Sequence, residues 1–175
     1  MTEKQEKILA SALLLFAEEG YHATSTNKVA RHAGVSEGLI FRHFGNKDGL
    51  LEAVMKEGEE RAKKLFANIV FETDPKKVIQ KYLDIPLEML SNQEELEFWK
   101  LQYKIKWETE QYGEQKMEPI YMALTNAFTK LGYPSPELEA KNLLMTIDGL
   151  STQFFLQKAF DARGMLEFLK KKYES

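Results

Sequence analysis

The chain has 175 residues, enough for one sizeable core or for a small module beside a larger one. Its 43% hydrophobic and 29% charged content is ordinary for a soluble globular protein, and a net charge of −3 argues against coating nucleic acid by bulk electrostatics. The absence of cysteine excludes disulfides, thiolate zinc sites and thiol nucleophiles. No apolar run is long enough for a membrane-spanning helix, and the mixed-charge opening Met1-Thr2-Glu3-Lys4-Gln5-Glu6-Lys7 does not read as a secretory signal. A cytoplasmic location is expected, with no membrane partner.

Helical periodicity dominates from the start. Ile8, Leu9, Ala12, Leu15 and Phe16 form an apolar stripe, and Gly20 is a natural stop after Glu18-Glu19. A short helix fits Asn27 to Ala33 with Thr26 as its N-cap and Val29, Ala30 and Ala33 facing inward. Gly34-Val35 makes a tight turn, after which Ser36 caps a third helix to about His43, burying Ile40 and Phe44. Gly45-Asn46 breaks again, and Lys47 or Asp48 opens a long helix through Leu50, Leu51, Val54, Met55, Ala62 and Leu65. Asp74-Pro75 starts another, carrying Val78, Ile79, Tyr82 and Leu83, which Pro86 should kink or end. Further helices are expected at about Glu94–Lys106, Glu114–Leu131, Glu137–Lys158 and Arg163–Lys172, with a loop over Gly132-Tyr133-Pro134-Ser135-Pro136. The expected fold class is all-α, with about nine helices and no internal repeat.

Two short helices joined by a glycine-containing turn are the sequence form of a helix-turn-helix. Small Ala30 and Ala33 suit the helix crossing, Gly34 lets the chain reverse, and Val35, Ile40 and Phe44 anchor the second helix. Ser36 and Gly38 leave its outer end free to approach a major groove. Between His22 and Lys47 four cations (Lys28, Arg31, Arg42, Lys47) stand against one acid, Glu37, a local balance of +3 in an acidic chain.

From Phe16-Ala17-Glu18-Glu19-Gly20-Tyr21 through Ser25-Thr26-Asn27-Lys28 to Lys47-Asp48-Gly49-Leu50-Leu51, the sequence resembles the DNA-binding domain of the TetR repressor family. The resemblance implies a three-helix head over 1–46. A long helix joins it to a larger helical ligand-binding and dimerisation domain over 47–175. It also implies site roles. Thr26, Asn27 and Lys28 stand where the family contacts phosphates and sometimes a base edge. Ser36 belongs to the same surface, and Glu37, Gly38 and Leu39 fall at base-reading positions. Phe41 replaces a tyrosine common at a phosphate contact, so only its ring remains. Arg42 and His43 lie beside the backbone, although Arg42 has the alternative of forking onto guanine. Lys47 suits a phosphate. Glu37 is awkward beside phosphates, unless it accepts from a cytosine amino group or stabilises its own helix N-terminus.

Other chemistry is poorly supported by the sequence. None of the spacings among His22, His32 and His43 is the i, i+4 pair of a helical zinc site, so no metal is expected. Gly149-Leu150-Ser151-Thr152-Gln153 lacks the second glycine of a nucleophile elbow and sits in a helical pattern. No histidine follows His43, which argues against a bundle metalloenzyme built in the aromatic half, and neither an enzyme nor a cofactor is expected. A helical interaction module that has lost DNA binding is the other rival, which Glu37, Leu39 and Phe41 leave open.

Beyond the head, aromatic residues and methionines are dense, Tyr112 among them. Trp99, Tyr103, Trp107, Met117, Tyr121 and Phe128 are candidates to line an apolar small-molecule pocket. Each is also an ordinary core residue type. A helix carrying Leu143, Leu144, Ile147, Gly149, Leu150, Phe154 and Phe155 is apolar around much of its circumference. Ile147, Leu150 and Phe154, with Met165, Phe168 and Leu169 on the last helix, are the candidate dimer interface. The resulting expectation is a homodimeric transcriptional repressor that binds a double-stranded operator and is released by an unknown small hydrophobic ligand.

Overall fold

A computed structural model describes the chain apart from residues 90–92, 111–113, 158 and 175 and the side chains of 114–116. Tyr112 and Lys158 therefore lie outside the described residues. Among those described the fold is all-helical: α1 (Glu3–Glu19), α2 (Thr26–Ala33), α3 (Glu37–Phe44), α4 (Lys47–Val70), α5 (Pro75–Met89), α6 (Gln93–Glu108), α7 (Glu114–Lys130), α8 (Pro136–Leu156) and α9 (Ala162–Glu174). No described helix is long and apolar enough to cross a membrane. The chain divides into two compact units, Met1–Arg61 with Glu97–Tyr112, and Ala62–Leu96 with Gly113–Ser175.

In the first unit, α1 opens with a capping box. The Gln5 amide donates to Thr2 Oγ1 (3.3 Å) and the Gln5 side chain accepts from the Thr2 amide (2.8 Å). Its apolar stripe is buried as the spacing predicts: Ile8, Ala12 and Phe16 are fully enclosed, with Leu9 and Leu15 nearly so. Thr24 fixes the turn into α2 by donating its hydroxyl to the Leu15 (3.2 Å) and Gly20 (2.8 Å) carbonyls.

Ser25, rather than the expected Thr26, is the N-cap of α2. Its backbone is extended and its Oγ accepts from the Lys28 amide at 3.2 Å, whereas Thr26 is already helical. The helix ends at Gly34, whose φ of 68° and ψ of 34° lie in the left-handed region. The Gly34 and Val35 amides donate back to the Arg31 (3.3 Å) and Ala30 (3.0 Å) carbonyls, the paired closure that glycine permits. Ser36 holds the N-cap position of α3, but its side chain makes no capping bond.

α3 buries Ile40 completely, with Phe44 half-buried beside it. Asn46 then caps α4, its Oδ1 accepting from the Gly49 amide at 2.8 Å. Gly49 is required by close approach, since a Cβ there would lie 2.1 Å from the Phe44 carbonyl oxygen. From α6, Phe98, Trp99 and Ile105 are buried, and buried Gln102 donates to the Val54 carbonyl at 3.0 Å.

The second unit is built on apolar contact. α5 starts as the sequence indicates, with Asp74 Oδ1 accepting from the Lys76 (2.9 Å) and Lys77 (3.2 Å) amides. Pro86 does not end it: the helix runs on to Met89, and the proline ring is buried. A missing amide removes one hydrogen bond, and burial of the ring offsets that loss. α5 packs against α7, α8 and α9, and α7 against α8. Their core encloses Ile79, Leu83, Leu124, Phe128 and Leu143. Phe128 meets Tyr133 edge-on at 4.9 Å between centroids and lies 5.6 Å from Tyr173.

Candidate nucleic-acid interface

The outward surface of the head is set by the α3 register. With Ile40 pointing inward, helical geometry puts Gly38 and Arg42 at the centre of the opposite face, with Phe41 and Leu39 on its flanks. Ser36, Gly38, Arg42 and His43 are exposed, Phe41 is 47% exposed and Leu39 is half-buried. Arg42 makes no ion pair or hydrogen bond among the described residues, which leaves its five donors to solvent. His43 Nδ1 lies 3.3 Å from the Gln5 side-chain nitrogen.

The supporting helix is more engaged than its sequence indicates. Thr26 donates its hydroxyl to Glu37 Oε1 at 2.7 Å, and Asn27 donates its amide to Glu37 Oε2 at 3.2 Å. These bonds, Thr26 first and then Asn27, hold the Glu37 carboxyl below its ordinary value. The carboxylate thus ties the start of α3 to the start of α2, a role that neither sequence alternative for Glu37 anticipated. Lys28 is paired with Glu19 at the end of α1.

Lys47 stands at the first position of α4. It donates to the His22 carbonyl at 3.3 Å and lies 4.4 Å from the Tyr21 ring centroid. Tyr21 in turn donates its hydroxyl to Asp48. Burial, followed by this bond and the Asp48 charge, pushes the Tyr21 phenol up to about 12. The cation is therefore held in place by a packed aromatic ring. His32 Nδ1 lies 2.9 Å from Ser11 Oγ, and His22 packs edge-on against Tyr21, so both histidines have structural neighbours.

The remaining candidates are spread over the chain. Trp99 is buried, Tyr103 half-buried and Trp107 72% exposed in the first unit. Met117 and Tyr121 are half-buried against the core of the second unit, and Phe128 lies inside it. Within the second unit, an apolar cavity of about 10 Å³ is bordered by Pro86, Met89, Leu150, Ser151, Phe154, Phe155 and Ala162. That is room for about one water molecule. Of the candidate interface residues, Ile147, Leu150 and Leu169 are buried in the unit's own core, Phe154 is half-buried, and Met165 and Phe168 are exposed.

A head of this form, with an α3 face open to solvent and cations at its margins, has the architecture of a helix-turn-helix DNA-binding domain. Residues 8–54 match the family described as bacterial regulatory proteins, tetR family. That match covers the head alone, and the chain spans 30% or less of the length of the first curated relatives it matches. The HTH-type transcriptional regulator YvkB of Bacillus subtilis (strain 168) is 44% identical over 57 residues, covering 33% of this chain and 30% of that relative. Likeness at the level of fold extends much further. The fatty acid degradation regulator FadR from Bacillus halodurans superposes with a TM-score of 0.70 at 20% identity, over 99% of this chain and 95% of that one. FadR from Bacillus subtilis, solved in complex with stearoyl-CoA, gives a TM-score of 0.66 at 20% identity over 96% of each chain.

Proposed function

We propose that this protein is a sequence-specific DNA-binding transcriptional regulator, acting as a repressor that a small hydrophobic ligand releases from its operator. The observation that carries the reading is the solvent-facing surface of α3, centred on Gly38 and Arg42 and flanked by Lys47, on a head whose sequence matches the family. Arg42 and Lys47 serve the DNA backbone, with Thr26, Asn27 and Lys28 beside them. Ser36 to His43 supply the reading surface. With few polar readers, part of the recognition falls to DNA shape.

The domain division follows the same reading: a head over 1–46 and a ligand-binding and dimerisation region over 47–175. The acyl-CoA held by a relative of the same fold supports a hydrophobic ligand. The small apolar cavity bordered by Phe154 and Phe155 would hold such a ligand only if those side chains moved. Met165 and Phe168, with Met145 exposed on α8, support pairing with a second copy, which would present two heads to two half-sites.

Fluorescence anisotropy with duplex DNA from upstream of the gene tests the reading. Submicromolar, salt-sensitive and sequence-selective binding is expected, weakened by fatty acyl-CoAs. Lys47→Ala should weaken binding to every sequence and flatten the salt dependence by about one unit. An unchanged slope would remove Lys47 from the clamp. Absence of any duplex binding would remove the DNA reading, and a monomer by light scattering at micromolar concentration would remove the dimer.

A further inference from the structure

We propose that Glu37 determines specificity by competition: in the free protein its carboxylate occupies the Thr26 hydroxyl and the Asn27 amide, and DNA gains these donors only by displacing it. The inference rests on the head being a DNA-binding domain. Thr26 and Asn27 are neutral donors at the start of α2, of the kind that bind phosphate oxygens. Both are already satisfied by an anion, at 2.7 Å and 3.2 Å. A phosphate arriving at the same donors must break two charge-assisted bonds and approach a negative charge.

That cost is the same on every DNA sequence, so it lowers non-specific affinity uniformly. It is recovered only where the displaced carboxylate finds a new donor. From the first residue of α3, the groove donors within its chemistry are the amino groups of cytosine and adenine, whereas guanine presents two acceptors that repel it. Glu37 therefore combines an attractive contact to some base pairs with a repulsive one to others, which is how discrimination is widened without raising overall affinity.

Anisotropy titrations of the full chain against a random-sequence duplex, and against the tightest duplex selected from a randomised pool, test this. Glu37→Gln should bind the random duplex about fivefold more tightly at low salt. Its salt slope should steepen by up to about 0.9, and the gap between the two duplexes should shrink. In a Thr26→Val/Asn27→Ala background the same change should give no gain, because the competition has been removed. Unchanged or weaker random-duplex binding by Glu37→Gln, with a lowered melting temperature, would make Glu37 a purely structural tie. A gain that persists undiminished in the double-variant background would reduce the effect to bulk charge, and either result overturns the proposal. If the wild type binds neither duplex, the DNA-binding reading falls and this inference with it. Wild-type binding with an indifferent Glu37→Gln removes the inference alone.

Discussion

Between Gly20 and Gly49 in the head, each change of chain direction is fixed by hydrogen bonds or by a glycine: Thr24 onto two carbonyls, Ser25 onto the Lys28 amide, the Gly34 turn, and Asn46 onto the Gly49 amide. The second unit depends far more on enclosed side chains, such as Phe128, Leu124 and Leu143, at the crossing of α5, α7 and α8. Size accounts for the difference. α3 has eight residues and buries only Ile40 completely, too little apolar area to fix its angle, so backbone and cap contacts do it. In the longer helices burial is large enough to dominate, and many sequences can supply it.

The largest expected effect lies in the second unit. Phe128→Ala removes a fully enclosed ring and should cost about 3–5 kcal/mol in urea denaturation. A loss near 1 kcal/mol would show that the aromatic core does not organise this half. In the head, Gly34→Ala should cost about 1–2 kcal/mol, all of it conformational, because a Cβ at that position meets nothing within 4 Å. Gly34→Asn should recover part of this, since asparagine tolerates the left-handed region. A cost above about 3 kcal/mol would point to a packing role that the geometry does not contain.

A further effect separates the head by pH. The Tyr21 phenol is raised from its ordinary value of 10.0 to about 12, first by burial and then by Asp48, so folding favours its protonated form. Its contribution to stability is complete below about pH 10 and is lost as the pH rises toward 12. Denaturation midpoints measured from pH 8 upward should therefore fall less steeply in Tyr21→Phe than in the wild type. Parallel curves for the two proteins would contradict the assigned environment of the ring.

Much of the fold was legible because its signals are local. The stripe from Ile8 to Phe16, the stop at Gly20, the Gly34 reversal and the Asp74-Pro75 start each depend on residues within about one or two helical turns. Errors were local too: Ser25 and Thr26 are both good caps, and backbone geometry chose Ser25, freeing Thr26 for Glu37. Pro86 is a helix breaker by rule, but a buried ring inside a packed helix is tolerated.

The candidate site was legible in its residues and hidden in its pairings. Sequence alone determined that two short helices flank a glycine turn and that Gly38 and Arg42 face away from Ile40, because the 3.6-residue period sets which residues share a face. Only the tertiary structure decided that Glu37 reaches across eleven residues to Thr26, that Lys28 pairs with Glu19, that Lys47 rests on Tyr21, and that Ile147 and Leu150 are enclosed while Phe168 is not. Those outcomes depend on the angles at which helices cross, and crossing angles are set by side chains distant in sequence meeting in one packed interior.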